Sequence, residues 1–290
     1  MYKKYISISD LSDTIRNNFY KIPHDVDFVV GIPRSGMIVG SIVAELLNRP
    51  LVDIDSFCNG CDATGGGRLR HVSDLPKSGR VLVVDDTVWG GKTKCDAKMK
   101  LKARPEFEYV FMVAYLEGPA EPLVDIWLDD LREYTESFKY PVLYEWNIFH
   151  HNENVMEHAV FDMDGVLCVN PPDERDIMAY ELYIRNAIPL FVPTTKIGAI
   201  VTYRLCGYRN TTEKWLSDNR ISYGKLVMFG ASSYQSRLDS GISPFEYKAF
   251  AYNDMPDMTL FVESSDYEAS RINEISKKPV FCVESNKMYI

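Results

Sequence analysis

The segment at residues 80–93, RVLVVDDTVWGGKT, constrains the fold of this chain more than any other. It begins as a continuous aliphatic run, which is typical of a strand buried on both faces of a parallel sheet. Asp85 and Asp86 follow at the carboxyl end of the predicted strand, where open α/β sheets bind their ligands. Two glycines then let the backbone approach a phosphate closely, and a helix beginning near Lys92 would offer it free N–H groups. The segment therefore predicts a phosphate-binding loop beside two carboxylates that hold sugar hydroxyls or a magnesium ion.

A second strand–loop–helix unit precedes this segment. Residues 27–32 predict another buried strand, and residues 37–47 have helical apolar spacing. The turn between them contains Arg34, Ser35 and Gly36. Such a turn is a weak signal by itself. Two anion-suited turns in one α/β domain, however, predict a ligand with two phosphate groups.

The stretch 56–79 has no clear periodicity and contains Arg68 and Arg70 beside three glycines. A connection of this length in a compact domain is usually functional or disordered. Two interpretations stay open: a flexible loop that closes over an anionic ligand, and a solvated loop without such a role. Cys58 and Cys61 lie here with C-x-x-C spacing. Because a zinc site needs about four ligands, two thiols in a polar loop are favoured over a zinc site or redox chemistry.

Composition and charge narrow the functional classes. The chain has 290 residues, of which 46% are hydrophobic and 25% charged, and this fits roughly two globular domains. The formal net charge of -9 argues against a nucleic-acid or anionic-membrane partner. No apolar run approaches the length of a membrane span, and the N-terminus lacks the pattern of a signal peptide. We therefore expect a cytoplasmic protein with small-molecule partners, and the sequence leaves homo-oligomerisation open.

Another sharp motif lies at residues 158–167, HAVFDMDGVL. A predicted buried strand carries Asp162 and Asp164 at its end, and Gly165 permits the turn that makes both carboxylates face the same way. The first carboxylate can attack phosphorus, and the second can exchange protons with the leaving group and with water. The motif predicts phosphoryl-transfer chemistry.

The alternation of predicted strands and helices indicates an α/β protein of two domains. We place them at residues 1–152 and 153–290. Each is expected to be a mostly parallel sheet flanked by helices.

Residues 81–93 resemble the signature with which type I phosphoribosyltransferases bind phosphoribosyl pyrophosphate (PRPP), and the resemblance covers about residues 25–130. It implies that Asp85 and Asp86 contact the ribose and that the loop after them wraps the 5′-phosphate. It also implies that residues 56–79, with Arg68 and Arg70, form the flexible catalytic loop, and that Mg²⁺ accompanies PRPP. The PRPP-binding residues implied are Arg34, Ser35, Gly36, Asp85, Asp86, Gly90, Gly91, Lys92 and Thr93.

This chain departs from that family at Gly90, where the family has a threonine, and at Trp89 before it. One side-chain contact to the phosphate is absent for this reason, although the backbone amides remain.

The D-x-D-G motif resembles motif I of the haloacid dehalogenase (HAD) phosphatases, and three further motifs follow in order over about residues 158–268. The resemblance implies that Asp162 is the nucleophile and Asp164 the general acid/base. Thr202, at the end of a predicted strand, would bind the transferring phosphoryl group, and Lys248 would neutralise it. The implied Mg²⁺ ligands are Asp162, Asp164, Glu263 and Asp266. The short interval between the first two motifs implies a Rossmann-like core with a minimal cap.

Together the two halves resemble fused phosphoribosyltransferase–HAD proteins of bacterial stress-linked, tellurite-resistance-type operons. That resemblance implies a bifunctional enzyme of nucleotide metabolism, in which a base and PRPP give a nucleotide and a phosphatase then gives a nucleoside-like product. The alternative is a non-catalytic first domain that senses PRPP or a nucleotide and regulates the phosphatase.

Overall fold

The structure is a computed structural model, and it describes residues 2, 4–60, 77–118, 124–135, 142–149, 153–173 and 175–290. The chain divides into two compact units. The first unit is Ile6–Lys139, and the second combines Met1–Tyr5 with Tyr140–Ile290. Both units are α/β with mostly parallel sheets, which confirms the predicted fold class. The identities of the predicted domains stay predictions.

Strand β1 (Lys4–Ile6) lies where the chain passes from the second unit into the first. The strands of the first unit are β2 (Phe28–Gly31), β3 (Leu51–Asp53), β4 (Gly79–Val88), β5 (Phe107–Leu116) and β6 (Ile126–Asp130). They form one sheet in the order β3-β2-β4-β5-β6, and every neighbouring pair is parallel. Its helices are α1 (Ile8–Asn17), α2 (Ser35–Leu47), α3 (Ile54–Cys58), α4 (Lys92–Leu101) and α5 (Arg132–Thr135), with a 3-10 turn at Phe19–Lys21.

Strand β4 is central in this sheet because it pairs with β2 on one side and β5 on the other. The strand continues through both acidic residues, and Thr87 still pairs with Tyr115. The prediction that Asp85 and Asp86 follow the strand is therefore wrong: they lie within it, because backbone pairing with β5 extends to Val88.

The second unit contains β7 (Val142–Tyr144), which pairs with β1, and a larger sheet. Its other strands are β8 (Ala159–Phe161), β9 (Ile197–Leu205), β10 (Tyr223–Phe229), β11 (Leu260–Glu263), β12 (Val280–Cys282) and β13 (Lys287–Tyr289). Its helices are α6 (Glu153–Met156), α7 (Ile177–Asn186), α8 (Arg209–Asp218), α9 (Tyr234–Asp239), α10 (Pro244–Asn253) and α11 (Asp266–Ser276), with 3-10 turns at Glu145–Asn147 and Cys206–Tyr208.

The larger sheet has the order β10-β9-β8-β11-β12-β13 and is parallel except for the β12–β13 pair. Strand β8 lies between β9 and β11, so the carboxyl ends of these three strands are neighbours. Asp162 directly follows β8, and Glu263 is the last residue of β11. Thr202 lies inside β9 and not at its end as predicted, because pairing with β10 continues beyond it. The topology therefore brings Asp162 and Glu263 to one edge of the sheet.

In the described part of the interval between β8 and β9, the chain forms one helix, α7. Among the described residues, no helix is both long and apolar enough to cross a membrane.

Candidate functional site

The loop between β4 and α4 forms one wall of a cavity in the first unit. Three residues, Trp89, Gly90 and Gly91, separate the strand from the helix. Gly91 has φ 70 and caps the amino end of α4, a left-handed conformation that glycine adopts without steric cost. The cavity, called here the inner cavity, has a volume of about 210 Å³. Its lining comprises Ile32, Val83, Asp85, residues 87–94, residues 111–113 and Val124.

The two acidic residues of β4 face opposite sides of the sheet, as successive strand residues do. Asp85 lines the inner cavity, and Asp86 is buried on the other face. Each carboxylate accepts a hydrogen bond from the next backbone N–H, at 3.0 Å for Asp85 and 2.9 Å for Asp86. Burial, together with the charge of Asp86, raises the pKa of Asp85 to about 8. Asp85 therefore keeps a proton at neutral pH unless a cation or a hydroxyl-rich ligand stabilises its charge.

The turn after β2 meets the start of α4 at a second cavity. This outer cavity has a volume of about 520 Å³ and is lined by Ile32, Pro33, Ile54, Asp55, Thr93, Asp96, Ala97, Met99 and Lys100. Pro33 and Thr93 represent the two anion-suited turns that the sequence predicted. The structure brings these turns together.

Gly36, in the first turn of α2, packs directly on β4. A Cβ atom at this position would lie 2.6 Å from the carbonyl oxygen of Val84 and 3.1 Å from Oδ1 of Asp85. Arg34 is the N-cap residue of this helix, Ser35 is its first residue, and the Pro33–Arg34 peptide is cis. The close packing fixes the turn beside Asp85.

Lys94 was not predicted as a site residue, although it lines the inner cavity. The ammonium groups of Lys94 and Lys98 each lie 5.3 Å from the centre of the Phe111 ring. Burial and then the charge of Lys98 lower the pKa of Lys94. In the sequence Lys94 belongs to a lysine-rich helix, and such a helix face is usually solvated.

Arg68, Arg70 and Cys61 lie outside the described residues, whereas Cys58 is the last residue of α3. The flexible loop therefore stays a prediction, and so does the interpretation of Cys58 and Cys61 as two thiols without a metal.

In the second unit, three carboxylates converge on one ammonium group. Nζ of Lys248 donates at 2.8 Å to Oδ2 of Asp162, at 2.8 Å to Oε2 of Glu263 and at 2.8 Å to Oε2 of Glu268. Burial opposes the charge of Lys248, but attraction to the carboxylates prevails and places its pKa well above the ordinary value. Burial raises the pKa of Asp162, against the attraction of this ammonium. The second unit therefore joins β8, β11, α10 and α11 through a single cation.

Asp164 belongs to a separate ion pair. Its carboxylate accepts hydrogen bonds from Nε of Arg204, at 3.1 and 3.0 Å, and from the hydroxyl of Tyr183 at 2.6 Å. Burial would raise the pKa of Asp164, but the charge and hydrogen bonds of Arg204 and the hydrogen bond from Tyr183 lower it below its ordinary value. This carboxylate is held ionised, which suits a base better than an acid.

The predicted Mg²⁺ ligands are not assembled as one set. Asp162 and Glu263 share Lys248, whereas Asp164 pairs with Arg204. Asp266 instead accepts a 2.7 Å hydrogen bond from Tyr289 in β13. Oε1 of Glu263 already accepts three bonds, from the N–H and hydroxyl of Ser264 and the N–H of Ser265. Within the described ranges, no group of three or more His, Cys, Asp or Glu residues could hold a metal ion. The arrangement does not fit the predicted magnesium centre.

Glu268, Tyr183 and Arg204 were not among the predicted site residues. Glu268 lies in the first turn of α11, where the N-cap residue Ser265 accepts from its N–H. An acidic residue five positions after Glu263 is the signal that could have identified it. Thr202 is buried, and its hydroxyl accepts from the N–H of Arg204 at 3.3 Å.

Comparison with known proteins gives structural similarity only. No protein-family model matches the sequence, and no curated protein matches it. A purine phosphoribosyltransferase from Pyrococcus horikoshii Ot3 is 19% identical, covers 50% of this chain and 94% of its own, and has a TM-score of 0.32. The xanthine-guanine-hypoxanthine phosphoribosyltransferase of Helicobacter pylori is 14% identical, covers 49% of this chain and 92% of its own, and has a TM-score of 0.35. The orotate phosphoribosyltransferase from Aeropyrum pernix is 20% identical, covers 43% of this chain and 71% of its own, and has a TM-score of 0.33. A functional assignment therefore depends on the residues of this chain.

Replacing Lys248 by Met should destabilise the protein strongly. The change leaves three carboxylates without their shared cation, and removing one partner of a buried ion pair costs about 3–5 kcal/mol. Urea unfolding of the full chain measures this loss. Protonation relieves the repulsion, so the loss should shrink as the pH falls toward 5. The control Lys214→Met removes an exposed pair with Asp218 and should cost less than about 1 kcal/mol. Equal losses in the two variants would contradict the prediction.

Replacing Gly36 by Ala should loosen the contact between α2 and β4. The added methyl group overlaps the Val84 carbonyl, and overpacking costs about 1–3 kcal/mol. Gly90→Ala is the matched control, because a Cβ atom there would meet nothing within 4 Å. Thermal unfolding should show a lower Tm for the first variant alone, and a normal Tm for Gly36→Ala would refute the packing argument.

Proposed function

We propose that the first unit binds PRPP and transfers its phosphoribosyl group to a base. The observation that carries the proposal is the meeting of the two anion-suited turns: Pro33 from the turn after β2 and Thr93 from the start of α4 line the same outer cavity. Thr93 also lines the inner cavity with Asp85. A ligand with a phosphate, a sugar and a pyrophosphate matches two anion-suited turns with a carboxylate beside them.

The chemistry follows from the charges at these positions. Transfer breaks the bond between the ribose C1 and the pyrophosphate oxygen and forms a bond from C1 to a ring nitrogen of the base, which gives up its proton to water. The sugar acquires cationic character as the first bond lengthens. A carboxylate fixed near the sugar stabilises that charge, which is worth more in a site that excludes water. Asp85 supplies the carboxylate in the inner cavity. Its raised pKa means that ligand binding would release a proton. Mg²⁺ enters as part of the PRPP substrate and neutralises the leaving pyrophosphate.

Pyrophosphate release tests this function. The full chain is incubated with PRPP, Mg²⁺ and a pool of purine and pyrimidine bases, and pyrophosphate is measured. Asp85→Asn should lower the rate by roughly 100-fold or more, because it removes the carboxylate beside the sugar. Asp13→Asn, which affects an exposed pair with Arg16, should leave the rate unchanged.

The same assay separates transfer from sensing. PRPP that raises the Tm but yields no pyrophosphate with any base would reject transfer and favour a sensor. The glycine at position 90, where the resembled family has a threonine, would agree with a sensor. PRPP that neither binds nor reacts would reject both functions.

For the second unit we propose phosphate-monoester hydrolysis through an aspartyl-phosphate. The supporting observation is the 2.8 Å contact between the Asp162 carboxylate and the Lys248 ammonium at the carboxyl end of β8. An oxygen of Asp162 would attack phosphorus while the ester P–O bond breaks, and the leaving oxygen would take a proton from water. Water then attacks the aspartyl-phosphate, and the ionised Asp164 can accept its proton. Coupling the two activities in one chain would convert a base into a nucleoside-like product.

An aryl phosphate tests the second activity. Phosphate release from p-nitrophenyl phosphate, with and without Mg²⁺, should fall to the uncatalysed background in Asp162→Asn, because the nucleophile is lost. Asp218→Asn, at an exposed pair with Lys214, is the control and should retain activity. If the wild type also releases no phosphate, the second unit is not a hydrolase of this class.

A further inference from the structure

Trp89 has no role in the function proposed so far, yet it occupies a prominent place in the first unit. It follows the last residue of β4 and is 41% exposed. It also lines the inner cavity together with Asp85. A large apolar side chain left in water at the edge of a cavity is a common feature of binding surfaces.

The indole is held on one side by glycine backbone. Gly118 has φ +79, and a Cβ atom there would lie 3.2 Å from Cδ2 of Trp89 and 3.4 Å from Cγ. Glycine is the residue that tolerates this conformation, and its lack of a side chain lets the ring approach closely. One side of the ring is therefore covered, while the exposed remainder is available to a ligand.

Two hydrogen bonds hold the backbone around this contact. The N–H of Glu117 donates to the carbonyl of Val88 at 3.0 Å, which ties the residues before Trp89 and Gly118 together. The N–H of Gly118 donates to the hydroxyl of the buried Thr135 at 3.0 Å. The backbone of Gly118 is thus held against the indole, which reduces what a stacking ligand would have to order.

We propose that Trp89 is the stacking surface for the planar heterocycle of the acceptor base and of the nucleotide product. The proposal rests on the phosphoribosyl transfer proposed for this unit. Asp85 lies on the same cavity wall and is the residue assigned to the ribose. A base joined to that ribose is within reach of the neighbouring indole. Trp89 is then a specificity-determining residue. Its neutral indole selects flat aromatic rings by stacking and not by charge.

Binding of a nucleotide and of its base-free counterpart to the full chain tests the proposal. The probes are GMP, UMP and ribose 5-phosphate, and isothermal titration calorimetry gives each Kd. We expect Trp89→Ala to weaken GMP or UMP binding by roughly tenfold or more, the contribution of stacking on one aromatic ring, and to change the Kd of ribose 5-phosphate by less than about twofold. Trp89→Phe should keep nucleotide binding within about threefold, because a phenyl ring still stacks.

Fluorescence gives a second readout. Nucleotides should quench the tryptophan emission of the wild type, and ribose 5-phosphate should not. The quenching should vanish in Trp89→Phe. It should persist in the control Trp127→Phe, which removes the half-buried tryptophan of β6.

Unchanged nucleotide binding in Trp89→Ala, or an equal loss for nucleotides and ribose 5-phosphate, would overturn the stacking role while leaving the transfer function intact. Nucleotide binding that depends on Trp89 without any binding of ribose 5-phosphate or PRPP would reject the transfer function and retain the stacking surface. A wild type that binds neither the nucleotides nor ribose 5-phosphate nor PRPP would reject both.

Discussion

Parallel strand pairing is the constraint on which both units depend. Because all the strands of the first sheet run the same way, the ends of β2 and β4 lie at one edge, and the turns that follow them reach a common cavity. In the second unit β8 lies between β9 and β11, so Asp162 and Glu263 become neighbours although 100 residues of chain separate them in sequence order. Backbone geometry alone brings the chemistry together, and the local residues then set its charge.

The two units accommodate buried carboxylates by different means, pairing with cations in one and protonation in the other. In the second unit cations accompany them: Lys248 joins three, and Arg204 holds Asp164. Such pairing keeps charge inside the protein at a tolerable free energy. In the first unit burial and a neighbouring acid raise the pKa of Asp85 to about 8, so the cost of its charge is partly avoided by protonation. A cationic or hydroxyl-rich ligand would complete that site, whereas the second cluster already contains its cation.

Much of this architecture could be predicted from apolar runs and turn residues, and what could not be predicted has physical causes. The apolar pattern of β4 stops at Val84, but hydrogen bonding to β5 continues to Val88, and only the partner strand reveals this. Glu268 joins Lys248 because Ser265 sets the first turn of α11, which depends on the position of the cap. The Arg204–Asp164 pair spans 40 residues, and no local pattern encodes it.

The Lys248 cluster also has a consequence for the order in which the second unit folds. Its ammonium contacts residues that are 86, 15 and 20 positions away in sequence. The carboxylates at the ends of β8 and β11 cannot leave water cheaply until α10 brings the ammonium to them. We therefore expect that edge of the sheet to stay hydrated until α10 docks. On this argument, the final packing of two strands that are distant in the chain depends on one helix.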